Sequence, residues 1–305
     1  MRFFISRLLF SALAFLVFLS LVDRPYSWIA ERSNNVPNEA WRDLIQGTVD
    51  ASVVVLGNSR AASDFDTFVM DSVLGVRSYD LQMKGCGMDR LSYMYDLYRK
   101  LNRKPDVVIT CMDFLSMNPT VEVPSREQFF PLFYYKDFRE TVFPKEAFSW
   151  GEKHLPMWRW HSYNPLSLIV CYPKKTRQGF EPHTMGGYPF SKSSTDSLCF
   201  FENTESILPL WESFLERNRA DSIKTVLVFP PLYSDVPYAS GHKERMHSSI
   251  DSLASRFGAF VLDYDDQIIS SDSTCFQDFY HLNEKGAKLF TAALCEDLLK
   301  LGIAR

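Results

Sequence analysis

The chain has little excess charge of either sign: 33 lysines and arginines stand against 37 aspartates and glutamates, a formal net charge of −4 in 305 residues. That balance removes the electrostatic case for nucleic acid as a partner. Its six cysteines, Cys86, Cys111, Cys171, Cys199, Cys275 and Cys295, include no closely spaced pair and no zinc-ligand spacing. His154, His161, His183, His242 and His247 fall at no metal-binding spacing either, so neither a metal nor a cofactor is assigned. Cys111 sits in an apolar strand pattern and Cys295 on a helical one, which reads as buried free thiols. No linker is long enough to demand two domains, and a hydrophobic content of 46% can fill one large core or two modest ones.

The sequence does have one long hydrophobic run. Arg2 and Arg7 precede an almost wholly apolar stretch from Leu8 to Val22, and counting from Phe3 gives ~20 residues, or ~30 Å of helix. That spans a bilayer if Arg7 snorkels to the interface. Positive charge before the run and Asp23 after it orient the N-terminus inside and the body outside the cytoplasm, at the periplasmic or extracellular face. A cleaved signal peptide is the rival reading, although Asp23-Arg24-Pro25-Tyr26 offers no small-x-small cleavage site. Residues 1–30 are thus expected to be a membrane anchor and tether, and residues 45–305 the folded body.

Within the body, strands and helices alternate. Ser52 to Leu56, Val76 to Met83, Asp106 to Phe114, Lys224 to Phe229 and Ala259 to Asp263 read as five strands. Met88 to Asn102 carries apolar residues on one helical face; helices are also expected from about Glu202 to Arg219, Lys243 to Phe257 and Glu284 to Leu301, the last capped by Asn283. Strict alternation predicts an α/β fold with a parallel sheet of about five strands and helices on both faces, a three-layer flavodoxin-like arrangement. Residues 119–200 break the pattern. This aromatic-rich insertion holds Phe129, Phe130, Phe133, Tyr134, Tyr135, Phe138, Trp150, Trp158, Trp160 and Tyr163, and is expected over the active edge of the sheet. Its rings suit either the core of a small cap or stacking on sugars. Lys174, Lys175 and Arg177 suit a solvated basic loop or an anionic glycan or lipid headgroup.

Two short blocks carry chemistry. The first apolar strand ends abruptly in Gly57-Asn58-Ser59-Arg60, where glycine permits a tight turn that lifts Ser59 onto the carboxyl edge of the sheet. Far down the chain, Asp278-Phe279-Tyr280-His281 puts a carboxylate three residues before an imidazole, close enough in a turn to fix its tautomer while the other ring nitrogen faces the serine.

On these blocks the chain, from Ser52 to the end, resembles the SGNH (GDSL-like) hydrolase superfamily, in which a Gly-Asp-Ser or Gly-Asn-Ser block supplies the nucleophile and an Asp-x-x-His block supplies acid and base. The resemblance implies Ser59 as nucleophile, His281 as base and Asp278 as its orienter. It implies backbone oxyanion donors at Ser59 and in the Lys84-Gly85-Cys86-Gly87 turn, Gly85 before Gly87. The family's Gly-x-Asn-Asp block is absent, because this chain reads Thr110-Cys111-Met112-Asp113-Phe114 there; Asn118 is the nearest substitute donor and Asp113 a candidate for orienting a site loop. Arg60, beside the nucleophile, either contacts an anionic group of the substrate or pairs with a carboxylate such as Asp64.

In layout the chain looks closer to the cell-envelope branch of the superfamily, with its membrane-anchored proteins, than to the secreted lipases. That implies an esterase or O-acetyltransferase acting on an acylated polysaccharide, anchored in the membrane by its N-terminal helix. As a transferase it would need a membrane protein to deliver the acyl group. The alternative is an envelope protein that keeps the fold and binds glycan without catalysis; a lipid esterase with the aromatic segment as a lid is a third reading.

Overall fold

The structure is a computed structural model and describes residues 1–32, 36–120, 126–161, 178–181, 206–234, 242–265 and 267–303. Lys174, Lys175, Arg177, Tyr163, His183, Cys171 and Cys199 lie outside the described residues. The chain divides into two compact units, one formed by Met1–Gln46 with Ser125–Lys175 and the other by Gly47–Pro124 with Thr176–Arg305.

The first unit opens with helix α1 (Arg2–Glu31), long and apolar enough from Phe3 onward to cross a membrane. Its residues up to Val22 are almost all exposed, whereas Asp23, Ser27, Ala30 and Glu31 are buried. The change has a chemical cause. Asp23 accepts from Arg159 Nη2 at 2.8 Å, from the Met157 N–H at 3.1 Å and from the Tyr134 hydroxyl. Helix α2 (Val36–Gln46) brings Trp41 edge-on to Phe129 and Phe138, with ring centroids 5.5 and 5.7 Å apart, and the indole N–H donates to Gln128 Oε1 at 3.0 Å. Phe133 packs against Phe143 and Phe148 in the same cluster. The described aromatics from 129 to 160 are therefore mostly core, with Trp150, Trp158 and Tyr134 left exposed.

The second unit is an α/β body whose five strands are all parallel. They are β1 (Val53–Gly57), β2 (Ser78–Gln82), β3 (Val107–Cys111), β4 (Lys224–Phe229) and β5 (Phe260–Asp263), in the order β2-β1-β3-β4-β5. This is the predicted layered arrangement and the flavodoxin-like strand order. Val53, Val55, Val107, Ile109, Val226 and Val228 line one face, packed with Phe65, Met70, Phe290, Leu294 and Leu298 from helices near the ends of the unit. Those helices are α3 (Ser59–Asp64), α4 (Thr67–Leu74) and, after the helices of the other face, α10 (Glu284–Lys300). The opposite face is covered by α5 (Met88–Leu101), α8 (Leu208–Ala220) and α9 (His242–Phe257), the short helices α6 (Lys136–Val142) and α7 (Trp150–His154) belonging to the first unit. Strands buried on both faces need continuous apolar runs, and Val53 to Leu56 is one. Cys86, Cys111, Cys275 and Cys295 are buried free thiols.

Since the chain leaves β1 for β2 on one side and then returns to β3 on the other, the carboxyl ends of β1 and β3 flank the point where the winding reverses. Ligand sites form at that crevice in open α/β sheets. It is where Ser59 stands.

Candidate active site

Gly57 closes β1 without a positive φ. Its reason is close approach: a Cβ there would meet the Cβ atoms of Ala61 and Cys111 at 2.7 Å. Asn58 then caps α3, its Oδ1 accepting from the Arg60 N–H at 3.0 Å, while its Nδ2 donates to Asp113 Oδ2 at 2.8 Å. The end of β1 is thereby tied to the turn after β3, and Ser59 becomes the first residue of a helix.

Ser59, Asp278 and His281 come together. His281 Nε2 lies 2.9 Å from Ser59 Oγ, and Nδ1 lies 3.0 and 2.9 Å from the two Asp278 oxygens. Asp278 Oδ1 also accepts from the Tyr280 and His281 N–H groups at 2.8 Å each, so the carboxylate shapes the turn that carries the imidazole. In the tautomer with a proton on Nδ1, the ring donates to Asp278 and accepts from the serine hydroxyl. Burial lowers the proton affinity of His281, but the Asp278 hydrogen bond and the charges of Asp278 and Asp64 outweigh it, and the pKa is raised above the ordinary 6.5. Burial acts the other way on Asp278, where the bond from His281 and the two backbone donors win and hold the carboxyl below its usual range.

Of the two readings of Arg60, the structure shows the pairing with Asp64. Arg60 is buried, with Nε 3.3 Å from Asp64 Oδ2 and Nη2 donating to the Pro230 and Pro231 carbonyls at 3.1 and 2.8 Å. These bonds use Nε and both protons of Nη2, so most of the guanidinium's five donors are spent on the protein itself. Asp64, fully buried, accepts from Arg60, from Ser63 Oγ at 2.6 Å and from the Leu282 N–H at 3.0 Å. The last bond joins α3 directly to the residue after His281. Asp64 is thus a positioning residue that the sequence shows only as a partner for Arg60.

The expected oxyanion donors divide. Asn118 Nδ2 gives one of its two donors to the Phe114 carbonyl at 2.7 Å, closing its own turn. The Gly87 N–H donates to Thr120 Oγ1 at 2.8 Å, so it too is engaged; a Cβ at Gly87 would meet the Asn118 and Leu115 carbonyls at 2.2 and 2.7 Å, which is why glycine stands there. Gly85 has a φ of +69°, and no described residue accepts from its N–H. The Ser59 N–H, at the first turn of α3, likewise meets no described acceptor. Asp113, held by Asn58 and by the Ser116 N–H at 2.9 Å, is a buried strand-end brace. Around Leu232, the side chains of Phe114, Tyr233, Phe279 and Tyr280 form a small apolar cluster beside the serine and histidine loops. The Phe114 and Tyr280 rings lie 5.8 Å apart.

One group could be taken for a metal centre. His247 on α9 meets Asp263 Oδ2 at 3.1 Å through Nδ1 and Asp265 Oδ2 at 3.6 Å through Nε2, with Lys243 Nζ 3.5 Å from the same Asp265 oxygen. An imidazole offers one nitrogen to an ion, whereas here a carboxylate faces each, and an ammonium adjoins the second. Burial opposes charging the ring, yet the two aspartates raise its pKa to about 9. Below that value the ring is an imidazolium hydrogen-bonded to Asp263 and within ion-pair distance of Asp265, with the Phe229 ring stacked on it at 4.0 Å. Spacing along the sequence hid the group because helix α9 and the end of β5 supply separate members. A cavity of about 360 Å³ lined by Ser52, Val76, Lys104, Ser222, Lys224 and Ile303 opens at the amino ends of the strands, the edge away from Ser59.

No family model matches the chain, and no curated protein matches it. Among solved structures it is similar to a crystal structure from Bacteroides fragilis described as a "putative acylhydrolase", with 10% identity over 82% of this chain and 87% of that one and a TM-score of 0.38. A likeness at that score carries no argument, and the reading of the site rests on its geometry.

Proposed function

We propose that the second unit is a serine-dependent acyl ester hydrolase or O-acyltransferase of the SGNH type, and that its substrate is an acylated envelope polysaccharide. The single observation that carries the reading is the linked series Ser59 Oγ, His281 Nε2, His281 Nδ1 and Asp278, at 2.9 Å in both links. A neutral imidazole so held takes the serine proton as Oγ attacks an ester carbonyl, and Asp278 stabilises the imidazolium that results. His281 then returns the proton to the departing alcohol, leaving an acyl-serine. Water, deprotonated by the same nitrogen, completes hydrolysis, and a glycan hydroxyl in its place completes transfer. The Ser59 and Gly85 N–H groups are the donors for the transient oxyanion. The apolar cluster of Phe114, Leu232 and Tyr280 suits the acyl group.

Two features extend the reading to the envelope. Helix α1 supplies a membrane anchor by length and composition, and a single span cannot carry an activated acyl group across a bilayer, so the transferase form needs a separate membrane protein to deliver it. A second reading, glycan binding without turnover, is favoured by the engagement of the Gly87 N–H with Thr120, which leaves fewer oxyanion donors than the resemblance implies.

Reaction with a fluorophosphonate separates the two. The native chain is expected to take up one adduct, mapped to Ser59 by mass, and Ser59→Ala and His281→Ala to take up none. A folded native protein that forms no adduct would sink the catalytic reading and leave the binding one.

A further inference from the structure

Helix α1 changes character at Ser20–Arg24. Before it lie some 20 exposed and mostly apolar residues; after it, one side of the helix is covered by the 3₁₀ segment Arg126–Tyr134 and the turn around Trp158–Trp160. At that level the first unit forms an open cavity of about 350 Å³, lined among others by Ser20, Asp23, Arg24, Arg139, Lys153 and Arg159. Four cations there face one carboxylate. Asp23 is committed to Arg159, with both side chains only 5% exposed. Arg24, Arg139 and Lys153 pair with no carboxylate among the described residues. Their head groups are nevertheless placed: the Arg24 guanidinium lies over the Tyr134 ring at 5.4 Å, Arg139 Nη1 donates to the Phe133 carbonyl at 3.2 Å and Lys153 Nζ sits 5.3 Å from the Phe143 ring centroid.

We infer that this cavity binds the phosphate of an anionic phospholipid in the leaflet next to the first unit. The inference rests on the anchor half of the proposed function and is independent of the serine chemistry. A hydrocarbon core of ~30 Å is matched by the apolar part of α1, which puts Ser20–Arg24 at the headgroup level. Uncompensated Arg and Lys beside a span attract anionic headgroups, and Arg donors match phosphate oxygens. A free phosphate would meet the same donors, but the cavity opens beside Ser20 on the exposed apolar helix, where acyl chains have Leu13, Leu16 and Val17 to lie against. Exposed Trp28, Trp150 and Trp158, rings with one polar edge, suit the same interface.

The test uses the full chain in detergent, offered equal amounts of phosphatidylglycerol and phosphatidylcholine, with retained lipid counted by native mass spectrometry. Retention of phosphatidylglycerol by about tenfold over phosphatidylcholine is expected, falling to within about twofold in R139Q/K153Q. These two exposed or half-exposed side chains leave the Asp23–Arg159 pair intact, and an unchanged circular dichroism melt checks the fold. If that variant melts early, quenching of tryptophan fluorescence in the native chain by brominated phosphatidylglycerol, and not by the brominated choline lipid, supports the site; equal quenching overturns it. Equal retention of both lipids, or a folded variant that keeps the preference, also overturns it. Retention of inorganic phosphate by a chain that shows no preference between the two lipids would assign the cavity to a soluble anion and overturn the lipid proposal. Flotation with neutral vesicles separates this failure from failure of the anchor. A chain that floats but shows no lipid preference loses only the headgroup site, and one that does not float loses the anchor and the site together.

Discussion

His281 must be neutral to take the serine proton, and Asp278 and Asp64 resist that loss of charge. The rate of fluorophosphonate labelling should therefore rise with pH along a limb whose midpoint lies above the ordinary 6.5. In Asp278→Asn the limb should move to lower pH while the plateau falls by about 10³- to 10⁴-fold, as the wrong tautomer is favoured; an unchanged limb would remove Asp278 as the orienter. Asp80 poses the opposite question. It is fully buried on β2, neither oxygen has a hydrogen-bond partner among the described residues, and burial, reinforced by Asp64, raises its pKa well above 3.8 in spite of Lys84. A raised carboxyl favours the fold below the unfolded pKa, and that contribution is lost as pH rises toward the folded value. Asp80→Asn should thus melt higher than the native chain at pH 7, by about 2–4 °C for about 1 kcal/mol, with the gain shrinking toward pH 4. At this scale the serine, the acid and the base are legible in the sequence because each stands beside a strand or helix signal. The pairing of Arg60 with Asp64 is legible too, four positions on along one helix, but its carbonyl partners, Pro230 and Pro231, are not, since they stand some 170 positions away.

The elements follow the sequence pattern where the pattern is continuous. β4 has the expected bounds, and α10 begins after Asn283, whose Oδ1 accepts from the Lys285 and Gly286 N–H groups. β2 runs Ser78–Gln82, shorter than the expected Val76 to Met83, although the Arg77 carbonyl still accepts from Ser52 and Val53 just ahead of it. β3 stops at Cys111, where Asp113 and Ser116 close a turn on each other. Helix α8 starts at Leu208, with Pro209 in its first turn, a place proline favours. The clamp between α9 and β5 gives an element-scale prediction. A histidine whose folded pKa is raised to about 9 contributes fully below its unfolded value near 6.5 and loses that contribution as pH climbs through about 9. His247→Gln should cost roughly 1 kcal/mol at pH 6, since Asp263 is half in water and screened, and almost nothing at pH 10. Equal losses in denaturant melts at the two pH values would show that the ring acts by packing on Phe229 alone.

For the whole molecule, the parallel body could be anticipated because its periods are local. The make-up of the first unit could not. Trp41 lies 88 residues before Phe129, and nothing in either neighbourhood marks them as partners; the rings meet only when α2 and the 3₁₀ segment Arg126–Tyr134 fold together. The apolar run of α1 is legible from composition, and its cost of exposure to water gives the prediction at this scale. Alkaline extraction of membranes should leave the full chain in the pellet, whereas Leu9→Arg with Leu13→Arg and Leu16→Arg should release it; release of the native chain would end the anchor reading. The site has a consequence of its own at this scale. Ser59 and His281 are separated by 222 positions, and the bond between them exists only once the strand before Ser59 and the four between the two residues have been laid side by side. A fragment ending anywhere between the two carries a hydroxyl no more reactive than that of any surface serine. Covalent labelling of Ser59 would accordingly serve as a census of finished molecules, separating completed folding from mere presence of the polypeptide.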